Sequence, residues 1–365
     1  MRLVGKQCSA EAAKALWMDA TIDIASPRPL KDLLAIPTHG FIDSVKKLSI
    51  DTEYRGATLT RNRKLRELLY GISQNHLTTF RCMGFAVSQK SLTVLLRRQS
   101  HLSELLISAD VDENLDHDLI QGTLDRLRSL RFSSSISSHR DFRGIQVLLH
   151  HAPGLRDLAI SGHLKSWNLP PRSHLRELRT LVLFNLHADV PSVSAQAPFD
   201  MPQLEALELS HCSNVAALLQ LLTKHNEDGP GYRCLKRFTY RSFFAQKSEW
   251  GAVIKFLQSA KGLTRAVLHT LVLSDKPLLR DLEHSPNTLR ELQLTSCDPY
   301  RFPMWSVAEI EFVNACCKTL ERLVVCLPDW AYHFGFFRDI EDRYAKLLVS
   351  IPPEAILVMW LTFSR

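Results

Sequence analysis

Apolar residues along this chain fall into a short template, apolar-x-x-apolar-x-apolar, that returns over most of its length. It reads Val45-x-x-Leu48-x-Ile50, Leu77-x-x-Phe80-x-Cys82, Leu102-x-x-Leu105-x-Ile107, Leu127-x-x-Leu130-x-Phe132 and Leu155-x-x-Leu158-x-Ile160. It continues as Leu178-x-x-Leu181-x-Leu183, Leu204-x-x-Leu207-x-Leu209 and Leu235-x-x-Phe238-x-Tyr240. The last copies are Leu268-x-x-Leu271-x-Leu273, Leu289-x-x-Leu292-x-Leu294 and Leu320-x-x-Leu323-x-Val325. Successive copies start 32, 25, 25, 28, 23, 26, 31, 33, 21 and 31 residues apart. Setting the ninth copy five residues earlier, at Leu263, would even out its neighbours. One such triplet is common in a leucine-rich chain, but eleven at this spacing are a repeat. The later template positions alternate with polar ones, as in a strand with one buried face.

Between copies the apolar period changes from 2 to 3.6. Leu65, Leu68, Leu69 and Ile72 share one helix face, as do Val215, Leu218, Leu219 and Leu222. Trp250, Val253, Ile254 and Leu257 repeat the pattern, and Ile145, Leu148, Leu149 and Ala152 give a shorter one. Asn214 and the pair Ser306-x-x-Glu309 are expected as N-terminal caps. Gly154 and Gly262 stand just past helix ends, where a left-handed residue is expected to close the last turn. The basic run Arg61-Asn62-Arg63-Lys64-Leu65-Arg66 is expected to be a solvated helix face. Strand, turn and helix together make one unit that cannot bury both of its apolar faces alone, so neighbours must stack. The expected fold class is α/β: a leucine-rich-repeat solenoid (horseshoe), parallel strands on the concave face and helices on the convex face.

Residues between the apolar template positions project from the strand face. They form a ladder of Arg81, Glu104, Arg131, Asp157, Val182, Phe184, Glu208, Arg237, Thr239, Arg241, Val272, Glu291, Gln293 and Arg322. The expected partner-binding residues are Arg81, Arg131, Asp157, Val182, Phe184, Glu208, Arg237, Arg241, Glu291 and Arg322. Their signs are mixed, with an apolar island at Val182 and Phe184. A nucleic-acid groove would be consistently basic with stacking aromatics. A protein or peptide substrate on the concave face is therefore the expected partner, and nucleic acid is not. Trp305 and the run Trp330-x-Tyr332-His333-Phe334-x-Phe336-Phe337 are expected to cover the open end of the last repeat.

Composition adds limits. The hydrophobic fraction is 45% and the charged fraction 23%, as in a globular chain. The net charge of +7 is dispersed and supports only a second reading, a nucleic-acid-associated basic binding scaffold without ligase coupling. The eight cysteines form no C-x-x-C pair and sit near no histidine at zinc-ligand spacing, so free thiols and a cytoplasmic or nuclear address are expected. No apolar run is long enough to span a membrane. Asp110-Val111-Asp112-Glu113-Asn114 starts like a calcium loop, but Leu115 replaces the glycine and Gln121 the closing glutamate. The pairs His150-His151 and Cys316-Cys317 point apart on a helix, which opposes shared metal ligation. Nucleophile-elbow, phosphate-loop, metalloprotease and dinucleotide signatures are missing. No enzyme activity, catalytic residue, cofactor or metal is expected.

Two repeats follow the strand with cysteine, Leu207-x-Leu209-x-x-Cys212 and Leu292-x-Leu294-x-x-Cys297. Together with the repeat length they resemble the leucine-rich repeats of F-box proteins, in which that cysteine faces the interior turn. The stretch Met1 to Cys8, followed by Ala13, Leu16-Trp17 and Thr21-Ile22-Asp23-Ile24, looks like the second half of a fungal F-box. The resemblance implies the substrate-recognition part of an F-box-type ubiquitin-ligase receptor. It divides the chain into an F-box-like remnant at 1–30, acting as an N-terminal cap, and a solenoid at 31–365 with an aromatic C-terminal cap. The family's opening L-P-x-E-[IL] helix is missing upstream of Met1, so docking of a Skp-type adaptor is not expected of this chain.

Overall fold

A computed structural model describes residues 15, 18–24, 44–51, 58–110, 120–133, 143–164, 175–188, 201–228, 231–242, 247–270, 288–296, 317, 319–327 and 356–361. The chain divides into two units, Met1–Leu178 and Arg179–Arg365. The first holds β1 (Asp19–Asp23), β2 (Lys47–Asp51), α1 (Thr58–Gly71), β3 (Thr79–Ser88) and α2 (Gln89–Arg98). It continues with β4 (Glu104–Asp110), α3 (Gln121–Leu124), β5 (Ser129–Ser133), α4 (Arg143–His150) and β6 (Asp157–Leu164). These strands pair in parallel in chain order. The second unit holds β7 (Thr180–Ala188), β8 (Ala206–Ser210), α5 (Val215–Asp228), β9 (Arg237–Ser242) and α6 (Lys247–Ser259). Then come β10 (Arg265–Thr270), β11 (Glu291–Ser296), β12 (Arg322–Leu327) and β13 (Ile356–Leu361), again parallel and in order. One strand per repeat, each added beside the last, is the leucine-rich-repeat architecture in the α/β class. No helix among the described residues is long and apolar enough to cross a membrane.

Alternation decides which face is core. Leu48, Phe80, Leu105, Leu130 and Leu158 stand at corresponding positions of β2 to β6, and none is more than 1% exposed. Burying each contributes about 1.5–3 kcal/mol. The helix faces read from period 3.6 are buried too: Leu65, Leu68, Leu69 and Ile72 on and beside α1, and Val215, Leu218, Leu219 and Leu222 on α5. Phe238 of β9 meets Phe256 of α6 with ring centroids 5.0 Å apart. In both units, two successive N–H groups entering a strand share one carbonyl of the preceding repeat. Thr78 and Thr79 donate to Lys46 O, and Lys236 and Arg237 to Glu205 O, all between 2.8 and 3.2 Å. That shared acceptor locks the register at the strand N-termini.

Several expectations are corrected. The ninth copy takes the earlier setting: Ala266 aligns with Leu292 and Leu268 with Leu294, which leaves Arg265, Val267 and His269 as its ladder residues. Leu263, Ala266 and Leu268 fill the core there, while Val272 lies past β10 and outside the described residues. Gly154 and Gly262 are not left-handed; among the described residues the positive-φ glycines are Gly162 and Gly231. Close packing explains Gly262, where a Cβ would sit 2.9 Å from Arg233 O; at Gly154 a Cβ would meet the movable guanidinium end of Arg128, which also donates to Gly154 O. The basic run on α1 is only partly solvated. Arg63 pairs with Glu67 at 3.4 Å near the surface, but Arg61 and Asn62 are buried. Arg61 lies over the Phe85 ring, and Asn62 donates to Ala86 O at 2.9 Å and accepts from Ser88 N at 2.7 Å. Asn214 does precede α5, with a left-handed φ of 56°. Ser306, Glu309, Cys297, the calcium-like residues 111–115, the terminal aromatics and Leu3, Val4, Leu16 and Trp17 lie outside the described residues.

Candidate functional site

Alternation turns ladder residues such as Arg81, Arg131, Glu208 and Glu291 to the face opposite the buried leucines of their strands. In the first unit, register sets Arg81 of β3 between Ser49 and Leu106, and Arg131 of β5 between Leu106 and Ala159. Arg81 Nη2 reaches Glu104 Oε1 at 3.1 Å, and Thr79 Oγ1 donates to the other oxygen of that carboxylate. Arg131, in the middle of β5, and Asp157, the first residue of β6, are exposed.

The second unit gathers the remaining ladder residues. On β7, Val182 is half-buried and Phe184 is 40% exposed, its ring edge-on to His211 at 6.0 Å. Val182 is the register partner of Glu208, whose carboxylate accepts from Ser210 Oγ at 2.9 Å and faces Arg241 Nε at 3.8 Å. Arg237 of β9 lies in register with Ala206 on one side and Arg265 on the other. Glu291 of β11 stands between Arg265 and Arg322, at 3.3 and 3.2 Å. These exposed pairs contribute little stability each. Their effect is to hold side chains in place across strands.

Just before the strands runs a further row of Glu205, Lys236, Thr264, Arg290 and Glu321, aligned by the shared carbonyl bonds. With Arg237, Arg265, Glu291 and Arg322 this row lines a groove of about 430 Å³. Arg290 meets Glu321 at 3.1 Å, and Glu205 meets Arg179 at 3.5 Å. At the opposite strand ends, His211 and His269 lie near Arg241. Burial, and then the Arg241 charge, lower the affinity of both imidazoles for a proton below the ordinary range.

The cysteine after β8 turns inward as expected: Cys212 Sγ–H donates to Leu183 O at 3.2 Å, back onto β7. Burial pushes its thiol up to about 11, and that of Cys82 to about 12. These are structural thiols rather than nucleophiles. Burial and the neighbouring Glu249 carboxylate likewise raise the Tyr240 phenol, which donates to Glu249 Oε2 at 3.2 Å. Among the described residues, no group of three His, Cys, Asp or Glu could hold a metal ion.

The expected binding residues therefore split between units. Arg81, Arg131 and Asp157 belong to the first; Val182, Phe184, Glu208, Arg237, Arg241, Glu291 and Arg322 belong to the second. Sequence reasoning missed the groove's outer row and Arg265. The signal was present, because Glu205, Lys236, Arg290 and Glu321 each directly follow the first apolar residue of a copy, as Thr264 does once the ninth copy starts at Leu263. Arg265 appears once the ninth copy is set at Leu263.

No protein-family model matches the chain, and no curated protein sequence does. Among solved structures it is similar to the leucine-rich repeat-containing protein LegL7 from Legionella pneumophila. That likeness has 14% identity and a TM-score of 0.45, and covers 84% of this chain and 88% of that one. A further likeness is to a chain of the Rad7 and Elc1 complex in yeast, with 13% identity and a TM-score of 0.41. It covers 97% of this chain and 93% of that one.

Proposed function

We propose that the chain is a protein-binding leucine-rich-repeat module, the substrate-recognition part of an F-box-type receptor, with its partner laid across the ladder face. One observation carries the protein-binding reading: the ladder face of the second unit exposes Phe184 beside Val182 and next to oriented charges of both signs. An exposed aromatic flanked by polar groups is the make-up of a protein interface. Carboxylates interleaved with the cations, and no row of stacking aromatics among the described residues of that face, oppose a nucleic acid. The F-box part of the reading rests on the resemblance of residues 1–24 and of the cysteine-bearing repeats.

Photo-crosslinking in cells tests the surface. A benzoylphenylalanine at position 184 should capture a protein partner that one at exposed Lys255 on α6 does not, and nuclease should leave the yield unchanged. Equal capture from both positions would overturn the reading. A pull-down with purified Skp-type adaptor tests ligase coupling separately. Capture supports a receptor, and its absence removes coupling while leaving the binding module.

A further inference from the structure

The groove at the N-terminal ends of β8 to β12 carries five cations against three carboxylates among its lining residues. Each carboxylate is already engaged: Glu205 by Arg179, Glu321 by Arg290, and Glu291 by both Arg265 and Arg322. Lys236 and Arg237 are exposed, and neither has an ion pair among the described residues. Arg237 is also the direct register partner of Arg265. Strands lie about 4.8 Å apart, so two guanidinium groups start side by side, an arrangement that destabilises a sheet unless an anion comes between them. Ala206, the other register partner of Arg237, is neutral, and Glu291 on the far side of Arg265 is shared with Arg322, so no anion of the chain comes between Arg237 and Arg265.

Building on the protein-binding reading above, we propose that this groove docks an acidic peptide segment of the partner, its carboxylates seated on Lys236, Arg237 and Arg265. A planar guanidinium takes a carboxylate through two parallel N–H bonds, so a paired arginine site suits that group. A nucleic acid fits less well. Glu205, Glu291 and Glu321 interrupt the basic track, and none of the lining residues is aromatic, so bases have nothing to stack on. From β9 to β12 is about 14 Å, which roughly four or five extended residues span. Acidic residues spaced along such a segment meet the free cations first and the Glu291-bridged arginines after them.

Fluorescence anisotropy with the full chain tests this, using a labelled Asp/Ser peptide of about ten residues, enough to cross the groove at about 3.3 Å per residue. The controls are the Asn/Ser peptide and an oligothymidylate of similar length. Saturable binding of the Asp/Ser peptide alone is expected. Charge reversal in Lys236→Glu with Arg237→Glu should weaken it by about tenfold or more, while Lys255→Glu on the exposed face of α6 leaves it unchanged. Glu291→Gln removes a competing carboxylate and should tighten binding. That second variant keeps the test decisive if the double reversal unfolds the chain. Equal binding of the Asn/Ser peptide, tighter binding of oligothymidylate, or no tightening by Glu291→Gln would overturn the docking site. Capture through position 184 that persists while the acidic peptide fails would overturn this site alone. Loss of both would overturn the protein-binding reading with it.

Discussion

Leu207 occupies the fourth position of its template copy, is 3% exposed, and aligns with Leu181 and Phe238 on the neighbouring strands. Truncation to alanine removes buried methyl groups and leaves a cavity between strands that their backbone bonds hold apart. Leu207→Ala should therefore cost about 2–5 kcal/mol in denaturant melts. A loss below about 1 kcal/mol would mean that this position is not core. Its burial was legible from alternation alone, because a half-buried strand admits only one register. Asn62 was not legible. Its polar side chain sits in a basic run, yet it is 3% exposed, since its amide bonds Ala86 O and Ser88 N, past the last β3 residue in register with β2. A long-range bond of this kind leaves no local pattern.

At the scale of elements, the joints between repeats decide what a position tolerates. Gly262 follows α6 and approaches the backbone of the preceding repeat, where a Cβ would meet Arg233 O at 2.9 Å and Leu235 O at 3.3 Å. Neither carbonyl can move without disturbing β9, so Gly262→Val should destabilise by about 1–3 kcal/mol, read as a fall in Tm. The ends of β8 to β10 set a pH dependence. His211 and His269 protonate near the ordinary 6.5 when unfolded, while in the folded chain burial and Arg241 hold that step to lower pH. The folded state then binds fewer protons, so this contribution to stability is full above about 6.5 and is lost as pH falls through the lowered folded values. Tm should drop on acidification from about pH 7 to about pH 5, and His269→Gln should shrink that drop. An unchanged slope in the variant would count against the effect.

At the scale of the whole molecule, each unit is a row of repeats whose stability comes from nearest neighbours. Among the described strands β1 pairs with β2 alone, whereas β4 lies between β3 and β5. Hydrogen exchange should show amides of β1 exchanging at least about tenfold faster than those of β4. Comparable protection would mean that the first unit opens as one block.

The repeat, the strand faces and the helix faces could be read from the amino-acid order, because burying one side of a strand or helix imposes periods of 2 and 3.6. Leu48, Phe80 and Leu105 show it in the strands, and Val215 and Leu218 in a helix. Two strands escaped the template. β1 has only two apolar ladder-back residues, Ala20 and Ile22, and β13 is an unbroken apolar run, Ile356–Leu361, with no alternation to count. The setting of the ninth copy needed its neighbours, since both frames offer apolar triplets and only pairing with β9 and β11 selects Leu263, Ala266 and Leu268. The same pairing brought Arg237 against Arg265 and left the groove with excess positive charge. Sequence order determines which residues each repeat contributes to a face. Which of those residues become neighbours is decided by inter-strand hydrogen bonds between residues some 25 to 30 positions apart, whose register is a property of the folded sheet.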